Sequence, residues 1–292
     1  MRPSDVALAL VVMAIWGLNF VAVRVGVQEI PPILFVTLRF ACAFLLMVPF
    51  VPWPKGRLRD LLVLSFMLGS LHFTTMFTGA RYLEAGTMAV VSQLQAVFSA
   101  LLARLWFGER LGAVGWAGMA IAFGGVLLIA GEPAVGDHLW ALVLPVLGCA
   151  FFALYHAHVK RIGTLSANVL NCWVSLLIVP QTLVLSLVLE SGQMAALRAV
   201  TWSGVAALLY QVVPMVIVSY WAWYRLLYRY PLTRVAPFQM LVPLFGVLAG
   251  ALMLGEPLTL QKIAGGAVTI VGVALVVLRP ARDRAPGQPS RA

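Results

Sequence analysis

Polar and aromatic residues stand at intervals inside long apolar runs, and these are the residues with chemistry to offer. The stretch WGLNFVAVRVG, residues 16–26, carries Trp16, Asn19, Phe20 and Arg24. Further along stand Arg39, His72, Gln93, Gln95, His156 and Gln239, and an aromatic cluster of Tyr220, Trp221, Trp223 and Tyr224. Amides, imidazoles and ring faces suit non-covalent recognition of an amphipathic small molecule. They also suit a lipophilic cation, held through cation–π contacts. Bond-breaking chemistry has no comparable set. The sequence has no HExxH, no GxSxG, no pair of carboxylates within an apolar run, and no GxxxxGK[ST] phosphate loop, which argues against an intramembrane hydrolase and a nucleotide-driven pump. Cys42, Cys149 and Cys172 each lie alone in an apolar run, as small core residues do, and suggest no metal site. No cofactor is expected.

The elements that must position these residues are helices. Of 292 residues, 62% are hydrophobic and 10% charged, against about a quarter charged in soluble domains; mean hydropathy is +0.97. A spanning helix needs about 20 apolar residues, and breaks at charged, Pro-rich and Gly-rich points leave ten such segments: 5–27, 31–52, 60–80, 86–106, 112–131, 138–159, 167–189, 203–227, 234–254 and 259–279. The fold expected is an all-α polytopic membrane protein. A β-barrel would show short alternating segments instead. No A-x-A cleavage site follows the apolar stretch of the first segment before the chain continues, and it is expected to be a retained helix. Residues 281–292, polar and Pro-rich, are expected to form a disordered tail.

The formal charge of +10 reflects orientation rather than a nucleic-acid partner. With the N-terminus in the cytoplasm, fifteen of the 20 Lys and Arg residues fall on the inner side (Arg2, Lys55, Arg57, Arg59, Arg104, Arg110, Lys160, Arg161, Arg225, Arg229, Arg234, Arg279, Arg282, Arg284, Arg291) and three on the outer (Arg81, Arg198, Lys262). Positive loops set orientation, so both termini are expected in the cytoplasm of an inner or plasma membrane. Residues 89–133 repeat as 236–280, at an offset of 147, with fifteen identities that include Gly108–Glu109, Gly118 and Gly125. Each copy holds five helices, an odd number, so the second enters the membrane from the other side. The expected units are 1–134 and 135–280, an inverted repeat of the kind that builds secondary transporters around a midplane site.

WGLNF in the first helix, LRFACAFLL in the second, GERL at 108–111 and LVPLFGVLAGALMLGEPL at 241–258 resemble the EamA family of the drug/metabolite transporter superfamily. The likeness spans nearly the whole chain, and the aromatic-rich eighth helix is most similar to the YddG-type amino-acid exporters. The resemblance implies helices 1–4 and 6–9 around a central cavity, with helices 5 and 10 peripheral. It also implies export of small amphipathic metabolites, chiefly aromatic or other neutral amino acids, by alternating access. Export of multiple drugs or lipophilic cations, a channel, or flipping of a lipid-linked headgroup on the same fold are the competing activities. The expected partners are a small-molecule substrate and membrane lipid, with a monomer as the unit.

All ten acidic residues lie at helix ends or in loops. Proton- and sodium-driven carriers often use buried carboxylates, so facilitated flux is expected, with a His-based proton couple through His72 or His156 as the alternative. Substrate contact is expected from Trp16, Asn19, Phe20, His72, Phe73, Met76, Gln93, Tyr155, His156, Tyr220, Trp223 and Gln239. Asn19, His72 and the glutamines have a second role open to them, hydrogen bonding between helices. Arg39 is expensive at depth and must be paired or meet water; a structural pairing and a substrate role both stay open. Arg24, whose repeat counterpart is Arg161, is expected at the outer rim. Pro214, Pro237 and Pro243 interrupt the backbone bonding of helices 8 and 9 and are expected hinges.

Overall fold

The computed structural model describes residues 1–54, 56–108, 111–136, 138–162, 167–230 and 232–278. The expected tail, 281–292, and the loop residues Lys55, Glu109, Arg110 and Asp137 lie outside them. Ten helices are long and apolar enough to cross a membrane: α1 (Pro3–Glu29), α2 (Pro32–Phe50), α3 (Leu58–Ala80), α4 (Ala85–Trp106), α5 (Gly112–Ala130), α6 (Leu139–Ile162), α7 (Asn168–Leu189), α8 (Trp202–Leu227), α9 (Pro237–Leu254) and α10 (Leu260–Val277). Their ends follow local rules. Proline opens α1 and α2, where its missing N–H costs nothing. Thr201 and Thr259 cap α8 and α10 through their hydroxyls. Gly108 and Gly255, repeat counterparts, end α4 and α9 with φ of 67° and 68°, the left-handed conformation that glycine adopts without steric cost. Large apolar side chains such as Leu187, Val188, Leu252 and Leu260 remain exposed on the outer surface of the bundle, the surface a lipid environment would cover.

The helices sort into two groups. α1 packs on α8 and α9, and α2 packs on α8; α6 packs on α3 and α4, and α7 packs on α3. Adding five to each helix of the first group gives the second, so the two groups are images under one exchange. Three pairs, α2 with α7, α4 with α9 and α5 with α10, map onto themselves. The last pair is peripheral and shows the exchange atom by atom. A Cβ on Gly118 would stand 2.8 Å from Gly272 O, and one on Gly125 would stand 2.6 Å from Gly265 O. Gly118 and Gly125 are the repeat counterparts of Gly265 and Gly272, so each glycine of α5 faces the counterpart of the other.

Breaks recur at equivalent depths. α8 is π-helical over Val213–Val218, with Pro214 at its second residue, and α9 opens in a 3-10 stretch, Ala236–Leu241, that contains Pro237 and leads into an α segment, Val242–Leu254, with Pro243 at its second residue. The prolines thus sit at the breaks expected of them. The proline-free counterparts break too: α3 is π-helical over Phe66–Phe73, and α4 is interrupted at Ser92–Gln93 between Ala85–Val91 and Leu94–Phe107. Pro145 and Pro180 lie inside α6 and α7 without ending them.

The exchange is obeyed by helix pairs but not by the two ends of the molecule. On the face away from the N-terminus, α1 packs against Thr74–Ala80 of α3 and Ala85–Val91 of α4, and Ala85–Val91 packs against Val242–Leu254 of α9. The image contacts, α6 against α8 and α9 on the N-terminal face, have no counterpart of similar extent among the described residues. The groups therefore meet more extensively at the far face; at the N-terminal face α2 and α7 still join them, with Trp173 Nε1 donating to Pro52 O at 2.8 Å.

Candidate functional site

One cluster forms where α1 meets α8. Trp16 Nε1 donates to Ser219 Oγ at 2.9 Å, and its ring lies 5.1 Å from that of Trp223. One turn on, Asn19 Oδ1 accepts from Gln211 Nε2 at 2.6 Å. Gln211 is wholly buried and its Oε1 has no partner among the described residues. Phe20 is half-buried and packs against the hydrophobic cores on both sides of this seam. Asn19 thus makes the interhelical bond that sequence alone left as one of two roles. Its partner Gln211 went unnoticed, because a single glutamine beside VVP carries no signal of which helix it faces.

A second cluster forms at the image position, where α3 meets α6. His72 is buried, with Nδ1 2.8 Å from Gly148 O. Its ring lies 4.6 Å from Phe73 and 4.7 Å from Phe152. Phe152 in turn touches Tyr155 and His156, whose rings are 5.2 Å apart. Met76 is buried against Gly148. His156 is exposed although it stands among these rings. Gln93 is half-buried at the break in α4, and Gln239 is exposed in the 3-10 stretch of α9.

Arg39 lies between the clusters. It is 3% exposed. The guanidinium carbon stands 4.5 Å from the Phe73 ring centre, 5.4 Å from Phe40 and 5.8 Å from Phe77, and Tyr220 of α8 lies in its neighbourhood. Among the described residues no carboxylate is paired with Arg39 and its Nε has no acceptor. Taking an ion out of water costs several kcal/mol even after relaxation, and each ring returns about 0.5–2 kcal/mol. The structural ion pair open to Arg39 from sequence is thus absent among the described residues; its neighbours are rings. LRF named the arginine, but the phenyl groups come from two helices and no spacing announces them. Arg24 is an ordinary rim residue, donating to Ala80 O at 2.8 Å and to Arg81 O at the end of α3.

The far face is held by carboxylates on helix N-termini, where free N–H groups and the dipole favour negative charge. Glu256 accepts from Ala85 N at 2.5 Å and Gly86 N at 2.9 Å; Glu190 accepts from Ile33 N at 2.8 Å and Leu34 N at 3.1 Å. Both ties cross between the two groups. On the N-terminal face, Asp5 with Arg229 at 3.3 Å and Arg57 with Ile162 O at 2.9 Å each lie within one group, and Trp173 Nε1, donating to Pro52 O at 2.8 Å, crosses between them. Two surface depressions lie apart from all the expected contact residues. One, of about 470 Å³, is at the far face beside Arg24, Glu84 and Glu256; the other is an apolar groove between α3 and α7, at Phe66, Ser70, Pro180 and Gln181.

Helices that span, two interlocked groups and an aromatic centre without a catalytic set agree with what the comparisons return. The EamA-like transporter family matches residues 4–131 and again 139–278. A probable amino-acid metabolite efflux pump of Escherichia coli K12 is 32% identical over 94% of each chain, and one of Salmonella typhimurium LT2 is 33% identical over 94% of each. A solved crystal structure, 15% identical, superposes with a TM-score of 0.60 over 98% of this chain and 100% of its own, which shows a shared fold. With the family matched twice along its length, the chain belongs to the EamA-like transporters: it is a multi-pass membrane transporter, not an enzyme.

Proposed function

We propose that the protein exports small amphipathic metabolites, amino acids with aromatic or other neutral side chains foremost, by alternating access and without ion coupling. The observation that carries this is the pair of image clusters, Trp16–Asn19–Gln211–Trp223 and His72–Phe73–Phe152–His156, between groups that meet less extensively at one face than at the other. Ring faces would take an apolar side chain, and amides and imidazoles would take the polar end. Glu190 and Glu256 would form the latch at the far face, and the breaks at Pro214, Pro237 and Pro243 the hinges. The N-terminal face, which gathers most of the basic residues, would be cytoplasmic. The conformation described here would then be the one that loads from inside. The repeats 1–134 and 135–280 would be the two gates, in a protein acting as a monomer in the inner membrane.

Counterflow in proteoliposomes tests the mechanism. Preloaded neutral amino acids should accelerate entry of labelled substrate, and a pH gradient should leave the rate unchanged. Clear acceleration by the gradient would replace facilitation with proton coupling through the histidines. A flat response to every amino acid would remove the substrate assignment.

A further inference from the structure

We infer that Arg39 is the anchor for a substrate carboxylate, so that the molecules carried bear a carboxylate and lipophilic cations are rejected. This rests on the export function proposed above and names its substrate class.

Three observations point to it. Arg39 is 3% exposed and, among the described residues, has neither an ion-pair partner nor an acceptor for its Nε. The rings of Phe40, Phe73 and Phe77 are its neighbours at 4.5–5.8 Å. A ring face attracts positive charge but offers no lone pair to a donor in the guanidinium plane. The planar fork of donors is therefore the unsatisfied part, and a fork of this kind is matched by the two oxygens of a carboxylate, bidentate. Finally, all ten acidic residues lie at helix ends or in loops. The centre then holds a positive charge with no fixed negative charge beside it, which favours a ligand with a carboxylate and repels one that is only cationic.

The position adds a consequence for transport. Arg39 and Phe40 are on α2 in one group, whereas Phe73 and Phe77 are on α3 in the other. The cation is thus held across the boundary along which the groups part. A bound carboxylate would neutralise it there, lowering the cost of closing the groups around it.

Purified protein in detergent is titrated calorimetrically with L-phenylalanine, 3-phenylpropanoate, L-phenylalaninamide and 2-phenylethylamine, followed by the other neutral amino acids. The two carboxylates should bind, and the amide and amine should bind at least about 30-fold more weakly, equivalent to about 2 kcal/mol. Arg39→Gln should bring phenylalanine down to the level of its amide, and Arg39→Lys should recover part of the loss. The ligand series on the unaltered protein stands even if a variant fails to fold. Equal binding of phenylalanine and its amide, or wild-type affinity in folded Arg39→Gln, overturns the anchor and leaves amino-acid export standing. Binding of 3-phenylpropanoate through Arg39 but of no amino acid keeps the anchor and removes the amino-acid assignment. A series in which no carboxylate binds overturns both.

Discussion

Adjacent glycines in α5 should respond to the same substitution with opposite sign. Gly124 has nothing within 4 Å of where a Cβ would stand. A Cβ on Gly125 would fall 2.3 Å from Thr269 Oγ1, 2.5 Å from Thr269 N and 2.6 Å from Gly265 O. Two of those three atoms are backbone of α10, so relief requires the helices to part. Overpacking of this kind costs about 1–3 kcal/mol, and a clash with backbone belongs at the upper end. In the open position, Gly124→Ala gains up to about 1 kcal/mol of helix propensity. At roughly 2–4 °C per kcal/mol for a chain of this size, Gly125→Ala should lower the unfolding midpoint by about 5 °C or more, while Gly124→Ala should leave it level or slightly raised. The measurement is the midpoint of tryptophan fluorescence on heating, in one detergent. Because α5 and α10 lie outside the candidate site, transport per folded molecule should be unchanged in both. A neutral Gly125→Ala, or an equal loss in both variants, would refute the close approach of α5 and α10.

Two further outcomes follow from the candidate site and its closure. Asn19→Ala strips Gln211 of its partner inside a site that already holds an unpaired Oε1; flux should fall at least tenfold, with about 1–2 kcal/mol lost in stability, and unchanged export would leave Asn19 a packing residue. Glu256→Gln replaces a carboxylate on two N–H groups of α4 by a neutral amide, weakening the far-face latch by about 1–2 kcal/mol; a cysteine at position 20 should become roughly tenfold more reactive to a thiol reagent added on that face, and unaltered labelling would show that the latch does not hold the groups closed.

Much of this protein is determined locally. Membrane helices must satisfy their own backbone groups within a segment of fixed length, so the ten apolar runs could be read directly from the chain. The repeat at offset 147 was legible for a related reason: Gly118, Gly125, Gly265 and Gly272 sit at contacts where a Cβ does not fit, so residue type there records geometry. The prolines likewise marked the breaks in α8 and α9. Facing is a different matter. In an apolar solvent both sides of a helix have the same composition, and periodicity does not say which side turns inward. Only the tertiary structure decided that Asn19 meets Gln211, that α3 and α4 break without a proline, that far-face carboxylates tie the two groups together, and that the cation of LRF lies among rings from two helices. Each of these depends on partners from distant parts of the chain, and their juxtaposition is set by how the two groups pack, which no local pattern encodes.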